Sequence, residues 1–311
     1  MRSLHEAIRP TTFLEPSKLR DHLGLDITIA TETFQHTGSF KFRAGYNVAL
    51  SVPNEEILTA SSGNFGQAVA YACKLLGKKC TVVMPATSAH VKIDAVRGFG
   101  ATVDLIDTTK IARNERVAQL AAEIPNAYVA SAYDDQFVID GNATLGEELS
   151  EHDFDVIVSP IGGGGLISGI VTGLKRNGSG PDVIGAEPLL GNDAARSLKA
   201  GHLIQNEQEP MTIADGARTL SLGQLNWPII RDNVAEIVEV PDEKIADAMR
   251  IYFDLANLKC EPTGALSLGA VLTKPEWFKG KKVCLVVTGG NVDREIYQRL
   301  ITAGAGASSG Q

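Results

Sequence analysis

Positive charge is in short supply in this sequence. The 311 residues carry 29 Lys and Arg against 37 Asp and Glu, a formal net charge of −8 with a pI near 5.3. There is no basic arm and no patch where aromatic and basic residues interleave, which argues against a nucleic-acid binder. Cysteine is scarce too: Cys73, Cys80, Cys260 and Cys284 make no CxxC pair, and three of them lie in apolar segments. They read as buried thiols of a reducing, cytoplasmic setting rather than as a disulfide framework. The six histidines show no HExxH or other ligand spacing. The start, Met1-Arg2-Ser3-Leu4-His5-Glu6, lacks the apolar core of a signal peptide. Val156 to Leu174 is uncharged and long enough to span a bilayer. Pro160 and six glycines, four of them consecutive, would break such a helix, so a buried strand, a glycine loop and a buried helix account for it better.

What is present is core-forming material in a repeating order. Hydrophobic residues make up 44%, enough for a substantial core, and the length suits two ordinary domains. Residues 1–25 read as irregular, with a helical piece from Pro16 to Leu23. Strand Asp26–Thr31 precedes a helix at 42–50. Residues 55–131 alternate strands at 56–60, 80–84, 102–106 and 127–130 with helices at 65–76, 89–97 and 111–123, a compact unit of parallel strands. Helix 138–150, strand 155–159, helix 166–175 and strand 182–186 continue the pattern. Residues 189–235 are polar and the least regular. Strand 237–240, helix 242–258, helix 265–273 with Glu261-Pro262-Thr263-Gly264 as its cap, and strand 282–287 complete it. Residues 304–311 read as a frayed tail. The fold class is therefore α/β, with open, mostly parallel twisted sheets covered on both faces. We expect a large domain from residues 1–50 and 134–311, and a small one from 51–133.

In such sheets ligands bind beyond the carboxyl ends of the strands, and four loops fall there. In Thr37-Gly38-Ser39-Phe40-Lys41 the lysine lies in the first turn of a helix, with Ser39 or Thr37 as N-cap. The helix dipole disfavours an ammonium there and favours the neutral nitrogen that forms an imine with an aldehyde. Alone, the stretch reads more readily as a solvated lysine at a helix start. Gly162-Gly163-Gly164-Gly165 joins a buried strand to a helix start. It can aim several backbone N–H groups at one phosphate. It lacks the ending of a P-loop, and Gly163, Gly165 and Gly169 only loosely echo a dinucleotide fingerprint. Close helix–sheet packing explains the glycines as well. Ser61-Ser62-Gly63-Asn64 could hold a carboxylate with hydroxyls and N–H groups, or be an ordinary serine cap. Thr288-Gly289-Gly290-Asn291 puts a hydroxyl at the rim of the sheet, or is a simple turn.

Together these loops resemble the fold-type II pyridoxal-phosphate enzymes, tryptophan synthase β-like in fold, in the branch of serine/threonine dehydratases and serine racemase. The matching pieces are TGSFKFRAGYN (37–47), SSGNFGQAVAYA (61–72), IGGGGLISG (161–169), GAEP (185–188), TIADGARTLSLGQLNWPIIRD (212–232), EPTGA (261–265) and VTGGNVD (287–293). They keep the family's order across most of the chain. The 212–232 piece looks most like serine racemase and its hydroxyaspartate-dehydratase relatives.

The resemblance implies pyridoxal phosphate as cofactor, with Lys41 as its imine-forming lysine and the base at the substrate Cα. It implies Gly162, Gly163, Gly164 and Gly165 at the phosphate, Phe40 beside the ring, Asn64 at the ring's 3′-oxygen and Thr288 facing the ring nitrogen. Ser61, Ser62, Asn64 and Phe65 would meet the substrate, with Ser62 as the opposite-face base. Glu187, the carbonyl of Gly191, and Asp193 match a divalent-cation site suited to Mg²⁺ or Ca²⁺. The implied reaction is β-elimination of a small β-hydroxy amino acid such as serine, threonine or 3-hydroxyaspartate to a keto acid and ammonia, with racemisation as a side activity. Competing readings are racemisation as the main activity, β-replacement of the cysteine-synthase type, and a nucleotide-binding module using only the glycine loop. A homodimer is the family expectation, and no separate regulatory domain is expected after residue 303. Three departures stand out: Phe65 where relatives usually carry His, Ala44-Gly45 for the usual Gly-Ala order, and Thr288 for the commoner Ser. A hydroxyl at 288 is expected to suit a neutral ring nitrogen.

Overall fold

A computed structural model describes residues 3–302 apart from 89 and 179. Among those residues, ten strands form two sheets. The strands are β1 (Thr12–Leu14), β2 (Asp26–Thr31), β3 (Glu56–Ala60), β4 (Lys79–Pro85), β5 (Thr102–Ile106), β6 (Tyr128–Val129), β7 (Val156–Pro160), β8 (Asp182–Pro188), β9 (Val234–Val240) and β10 (Lys282–Val287). The six-stranded sheet has the order β1-β2-β10-β7-β8-β9, and the four-stranded sheet β5-β4-β3-β6. β1 pairs antiparallel with β2, and the remaining pairs are parallel. β2, β7 and β10 are buried along nearly their whole length. That is the pattern of strands covered on both faces by crossover helices, and it is why they read as continuous apolar runs.

The position of β10 organises the site. It pairs with β2 over Lys282–Val287 and with β7 over Val283–Leu285. The last strand thus lies between strands more than a hundred residues earlier in the chain. Its carboxyl end, leading to Thr288, falls between the loop after β2 and the glycine loop after β7, at a topological switch point.

Behind the glycine loop, two helices touch through glycine. Helix Gly165–Arg176 lies against helix Gln136–Leu149 so closely that a Cβ on Gly146 would sit 2.2 Å from the Ile170 carbonyl oxygen, and one on Gly169 would sit 2.3 Å from the Asn142 Cβ. The loop is therefore mounted on a rigid helix pair.

Helix Lys41–Ser51 is fastened from its buried side by Arg43, which is wholly buried. Its guanidinium donates to both carboxylate oxygens of Glu32 at 2.8 and 2.9 Å, and to Glu148 Oε1 at 2.8 Å and Oε2 at 3.1 Å. It also donates to the hydroxyls of Thr144 at 3.0 Å and Thr11 at 2.9 Å. Glu32 and Glu148 hold Arg43 firmly charged, and Arg43 in turn keeps the Glu148 carboxyl below its ordinary range. The planar fork satisfies two carboxylates and two hydroxyls at once, which a lysine cannot do.

Several expectations need correction. Neither Ser39 nor Thr37 caps helix Lys41–Ser51: Phe40 holds the N-cap position, and both hydroxyls are buried without a hydrogen-bond partner. Thr37 instead takes a left-handed conformation (φ 61°) followed by Gly38 (φ 75°), a tight turn that uses up the loop before the helix begins. Glu261 makes no side-chain cap either, because its carboxylate turns into the site. The polar stretch 189–235 contains helices Asp193–Ala200 and Asn226–Asn233, and β9 begins at Val234. Helix Arg294–Thr302 has no counterpart in the sequence reading. Residue 89, where a helix start was expected, and the tail 304–311 lie outside the described residues; the helix there runs from His90 to Gly98. The four cysteines are free and buried. No helix among the described residues is long and apolar enough to cross a membrane.

Candidate active site

Lys41 begins its helix at the carboxyl-end rim, half-buried, with its Nζ donating to the Ala132 carbonyl oxygen at 2.7 Å. The ammonium nitrogen lies 4.9 Å from the Phe40 ring centroid and 5.7 Å from that of Phe65. Burial pushes its pKa down to about 8, against the opposing pull of the Glu261 carboxylate. Desolvation is therefore the principal cause of the bias toward a neutral amine that the sequence suggested.

Tyr133, next to the carbonyl that holds Lys41, packs against the glycine loop. A Cβ on Gly163 would fall 2.2 Å from the Tyr133 ring, and Gly164 takes φ 90° with Ile230, Asn226 and Leu222 packed against it. Carbonyls of the loop are already engaged. Gly163 accepts from Gly223 N and Asn226 Nδ2, Gly164 from Ser168 N, and Gly165 from Asn142 Nδ2. The first-turn N–H groups have no intrahelical acceptor and open toward the site. At the start of a twelve-residue helix they make a cradle for a dianionic group.

On the opposite wall β3 ends at Ala60, and Ser61, Ser62 and Gly63 lead into helix Asn64–Leu76. Ser61 Oγ accepts from Gly63 N at 3.3 Å, and Ser62 is half-buried at the rim. Phe65 is buried. Asn64 Nδ2 donates to Glu261 Oε2 at 2.9 Å and Oε1 at 3.2 Å. Asn64 Oδ1 accepts from Asn291 Nδ2 at 2.9 Å, and that same amide donates to the Thr37 carbonyl at 2.7 Å. These bonds fix which way the Asn64 amide faces.

At the end of β10, Thr288 is buried and its hydroxyl donates to Glu261 Oε1 at 3.0 Å. Its carbonyl accepts from Phe40 N at 2.9 Å, and Ser39 bridges Gly289. Burial raises the Glu261 carboxyl to about 7, while the bonds from Asn64 and Thr288 and the charge of Lys41 pull the other way. Bonds thus run from Asn64 through Glu261 to Thr288 and on to Phe40 beside Lys41, while Lys41 is held at Ala132, next to the Tyr133 that packs on the glycine loop. Lys92, on helix His90–Gly98, lies 3.7 Å from Asp215.

Glu261 and Asn291 were not read from the sequence as site residues. Both stood within quoted motifs, but nothing in their spacing signals contacts to residues about 200 positions away.

The cation candidates form a separate cluster. Both oxygens of Glu187 accept backbone N–H groups, from Ala194 and Ala195, each at 2.9 Å. Asp193 Oδ1 accepts from Asn206 at 2.8 Å, and its Oδ2 is buried without a partner. Burial and the nearby Asp193 push the Glu187 carboxyl well up, and burial raises Asp193 to about 6. Gly191 is buried in the turn Leu189–Gly191. Among the described residues, no group of three or more His, Cys, Asp or Glu is placed to hold a metal ion.

A lysine prone to neutrality beside a helix-borne phosphate cradle has a counterpart among known proteins. The family model described as pyridoxal-phosphate dependent enzyme matches residues 4–289. The chain belongs to this family. It is 37% identical over 303 residues to the β-hydroxyaspartate dehydratase of Paracoccus denitrificans (strain Pd 1222), covering 94% of this chain and 95% of that one. The crystal structure of a T.th. threonine deaminase superposes with a TM-score of 0.87 at 36% identity, covering 93% of this chain and 95% of that one. Maize serine racemase superposes with a TM-score of 0.89 at 30% identity, covering 96% of this chain and 94% of that one. The donor set fits the family's cofactor: an amine for the aldehyde, a glycine cradle in which a Cβ at Gly163 would strike a ring, and a half-buried amide and a buried hydroxyl joined through Glu261.

Proposed function

We propose that this enzyme catalyses β-elimination of a small β-hydroxy amino acid, such as serine, threonine or 3-hydroxyaspartate, releasing a keto acid and ammonia. The observation that carries the reading is the Lys41 amine, held at Ala132 and made easy to deprotonate by burial, beside the glycine cradle. Pyridoxal phosphate bound there would supply the electron sink for charge that develops at the substrate Cα.

The protein's part follows from its own groups. Lys41 Nζ would hold the aldehyde carbon and, once the substrate amine displaces it, take the Cα proton. Gly162, Gly163, Gly164 and Gly165 would hold the phosphate through N–H groups at the positive end of their helix. The Asn64 amide, whose Nδ2 bonds both oxygens of Glu261, would meet a ring oxygen. Phe40 and Phe65 would exclude water from the amine. Ser61, Ser62 and Asn64 would bind the substrate carboxylate at the start of helix Asn64–Leu76. Ser62, from the wall opposite Lys41, would return a proton to the other face of Cα, giving racemisation as a second outcome of one site; the likeness to maize serine racemase supports it. The reading takes residues 51–133 as a small domain and 1–50 with 134–311 as a large one; the four-stranded sheet, residues 56–129, supports the division. The reading also takes the enzyme to be a cytoplasmic homodimer; four buried unpaired thiols support the compartment, and light scattering checks the assembly.

A panel of β-hydroxy amino acids tests this reading. Keto acid and ammonia should appear together in equal amounts, with inversion visible by chiral analysis of the remaining substrate. A new amino acid formed only when a thiol is added would replace elimination with β-replacement. Ser62→Ala should suppress inversion by at least about tenfold more than elimination; equal loss of both removes its assigned role.

We further propose that Glu187, the Gly191 carbonyl and Asp193 take a divalent cation, with water completing the oxygen shell. The partnerless Asp193 Oδ2 beside a second buried carboxylate supports it. Mg²⁺ or Ca²⁺ at a hundred times its Kd should stabilise the fold by about 2.7 kcal/mol, a rise of several degrees in Tm. Asp193→Asn should abolish that rise, and a rise that survives the substitution would put the ion elsewhere.

A further inference from the structure

We propose that Asp134 is a positioning residue that sets the separation between the Lys41 amine and the glycine cradle. This rests on the reading above, in which Lys41 takes the aldehyde and Gly162, Gly163, Gly164 and Gly165 take the phosphate of one cofactor.

Asp134 lies in the connection, residues 130–135, between β6 and helix Gln136–Leu149. This short stretch meets both halves of the site. The Ala132 carbonyl accepts from Lys41 Nζ at 2.7 Å. The next residue, Tyr133, is pressed on the glycine loop: a Cβ on Gly163 would lie 2.2 Å from its ring, and one on Gly165 2.9 Å from its carbonyl oxygen. Both ends of the stretch are fixed. Ala130 N donates to the Leu58 carbonyl at 2.8 Å. The buried Asp135 accepts from Phe137 N at 2.8 Å and from the Tyr128 hydroxyl at 2.9 Å.

The Asp134 side chain reaches a segment about ninety positions later. Its Oδ2 accepts from Gln224 N at 3.0 Å and its Oδ1 from Leu225 N at 2.9 Å. Bonds from N–H groups to a carboxylate are charge-assisted and strong. The fit is close, since a Cβ on Gly223 would sit 2.5 Å from Asp134 Oδ1. The segment held in this way carries donors that grip the cradle. Gly223 N donates to the Gly163 carbonyl at 3.0 Å, and Asn226 Nδ2 to the same oxygen at 2.9 Å. Asn226 Nδ2 also donates back to the Tyr133 carbonyl at 3.0 Å.

These bonds close a ring. It runs from Asp134 to residues 224 and 225, from residues 223 and 226 to Gly163, and from Asn226 to Tyr133. Ala132, which holds the amine, is the neighbour of Tyr133, and Gly163 belongs to the cradle. A closed ring holds a distance. Cut at Asp134, it leaves the Asn226 amide to join the two sides. A ligand gripped at two points gains an effective concentration that disappears when the two grips are out of register. Asp134 therefore matters to a ligand that uses both grips and not to one that uses either alone.

The test titrates apoprotein with pyridoxal phosphate and with pyridoxal, which has the same aldehyde and no phosphate, following the visible imine band. Inorganic phosphate serves as a competitor that uses the cradle alone. Native protein should prefer the phosphorylated aldehyde by at least about 100-fold. Asp134→Ala should shrink that preference at least about tenfold, with the constants for pyridoxal and for inorganic phosphate within about twofold of native. Asp134→Asn, which keeps the shape and one acceptor oxygen, should shrink it at least about threefold, and it carries the test if the alanine variant does not fold. A native preference in both variants, or a loss shared equally by pyridoxal, overturns the proposal. An equal loss of inorganic phosphate overturns it too, because the damage would then lie in the cradle and not in its spacing from the amine. Failure of the underlying reading looks different: native protein would form no borohydride-reducible visible band with either aldehyde.

Discussion

Lys41→Ala leaves a protein that folds, takes up no visible absorbance on incubation with pyridoxal phosphate, and turns over β-hydroxy amino acids at least about 10⁴-fold more slowly. The substitution removes the covalent anchor and the base together while leaving the glycine cradle intact. Far-ultraviolet circular dichroism should be unchanged, since the lysine side chain bonds the carbonyl of Ala132 and no group that closes the helix. A visible band or residual keto-acid release above a hundredth of the native rate would mean that another amine does this work.

The same lysine sets a pH dependence. Burial disfavours its ammonium and lowers the pKa to about 8. At pH 7 a group titrating there is neutral in roughly one molecule in eleven, about 300-fold more often than an ordinary lysine. The rate at which apoprotein captures the cofactor should therefore climb about tenfold per unit up to pH 8 and then level off. A rate that keeps climbing steeply from pH 8.5 to 10 would show that the amine titrates as an ordinary lysine.

Arg43→Met is expected to cost about 3–5 kcal/mol of stability, read as a lower urea midpoint. The guanidinium compensates Glu32, 1% exposed, and part of Glu148, and the substitution strands those carboxylates without a compensating charge, leaving the hydroxyl of Thr11 on Glu32 and its N–H on Glu148. Glu32→Met in the Arg43→Met background should recover part of the loss, because an apolar pair of similar volume is less costly than one buried charge. An unchanged midpoint in Arg43→Met would mean that the network contributes no net stability. Because Arg43 follows Lys41 by two positions on the same helix, weakened cofactor capture should accompany the loss.

The legible parts of this protein are those in which a short contiguous stretch does one job. Lys41, the four glycines, Ser61 to Asn64 and Thr288 each sit where a strand hands over to a helix or turn, so period and composition mark them. Most strands were legible for the same reason, being apolar runs bounded by turns. Glu261 was not: next to Pro262 it looks like a helix start, and only folding shows that its carboxylate bridges Asn64, 197 positions away, and Thr288, 27 away. Arg43 reads as one more polar residue in a helix, because its partners lie 11, 32, 101 and 105 positions off. Helices Asp193–Ala200 and Asn226–Asn233 were hidden by brevity and polar content, too short to declare a period.

The seat of β10 also dictates an order of assembly during synthesis. The four-stranded sheet uses only residues 56–129 and can close while later segments are still being made. The larger sheet has a gap between β2 and β7 until residues 282–287 arrive to fill it. A nascent chain halted before that point would display an open seam with unpaired strand edges, a target for chaperones and a hazard for aggregation. It would own the lysine and the glycine cradle, yet have nothing to hold them at the right separation.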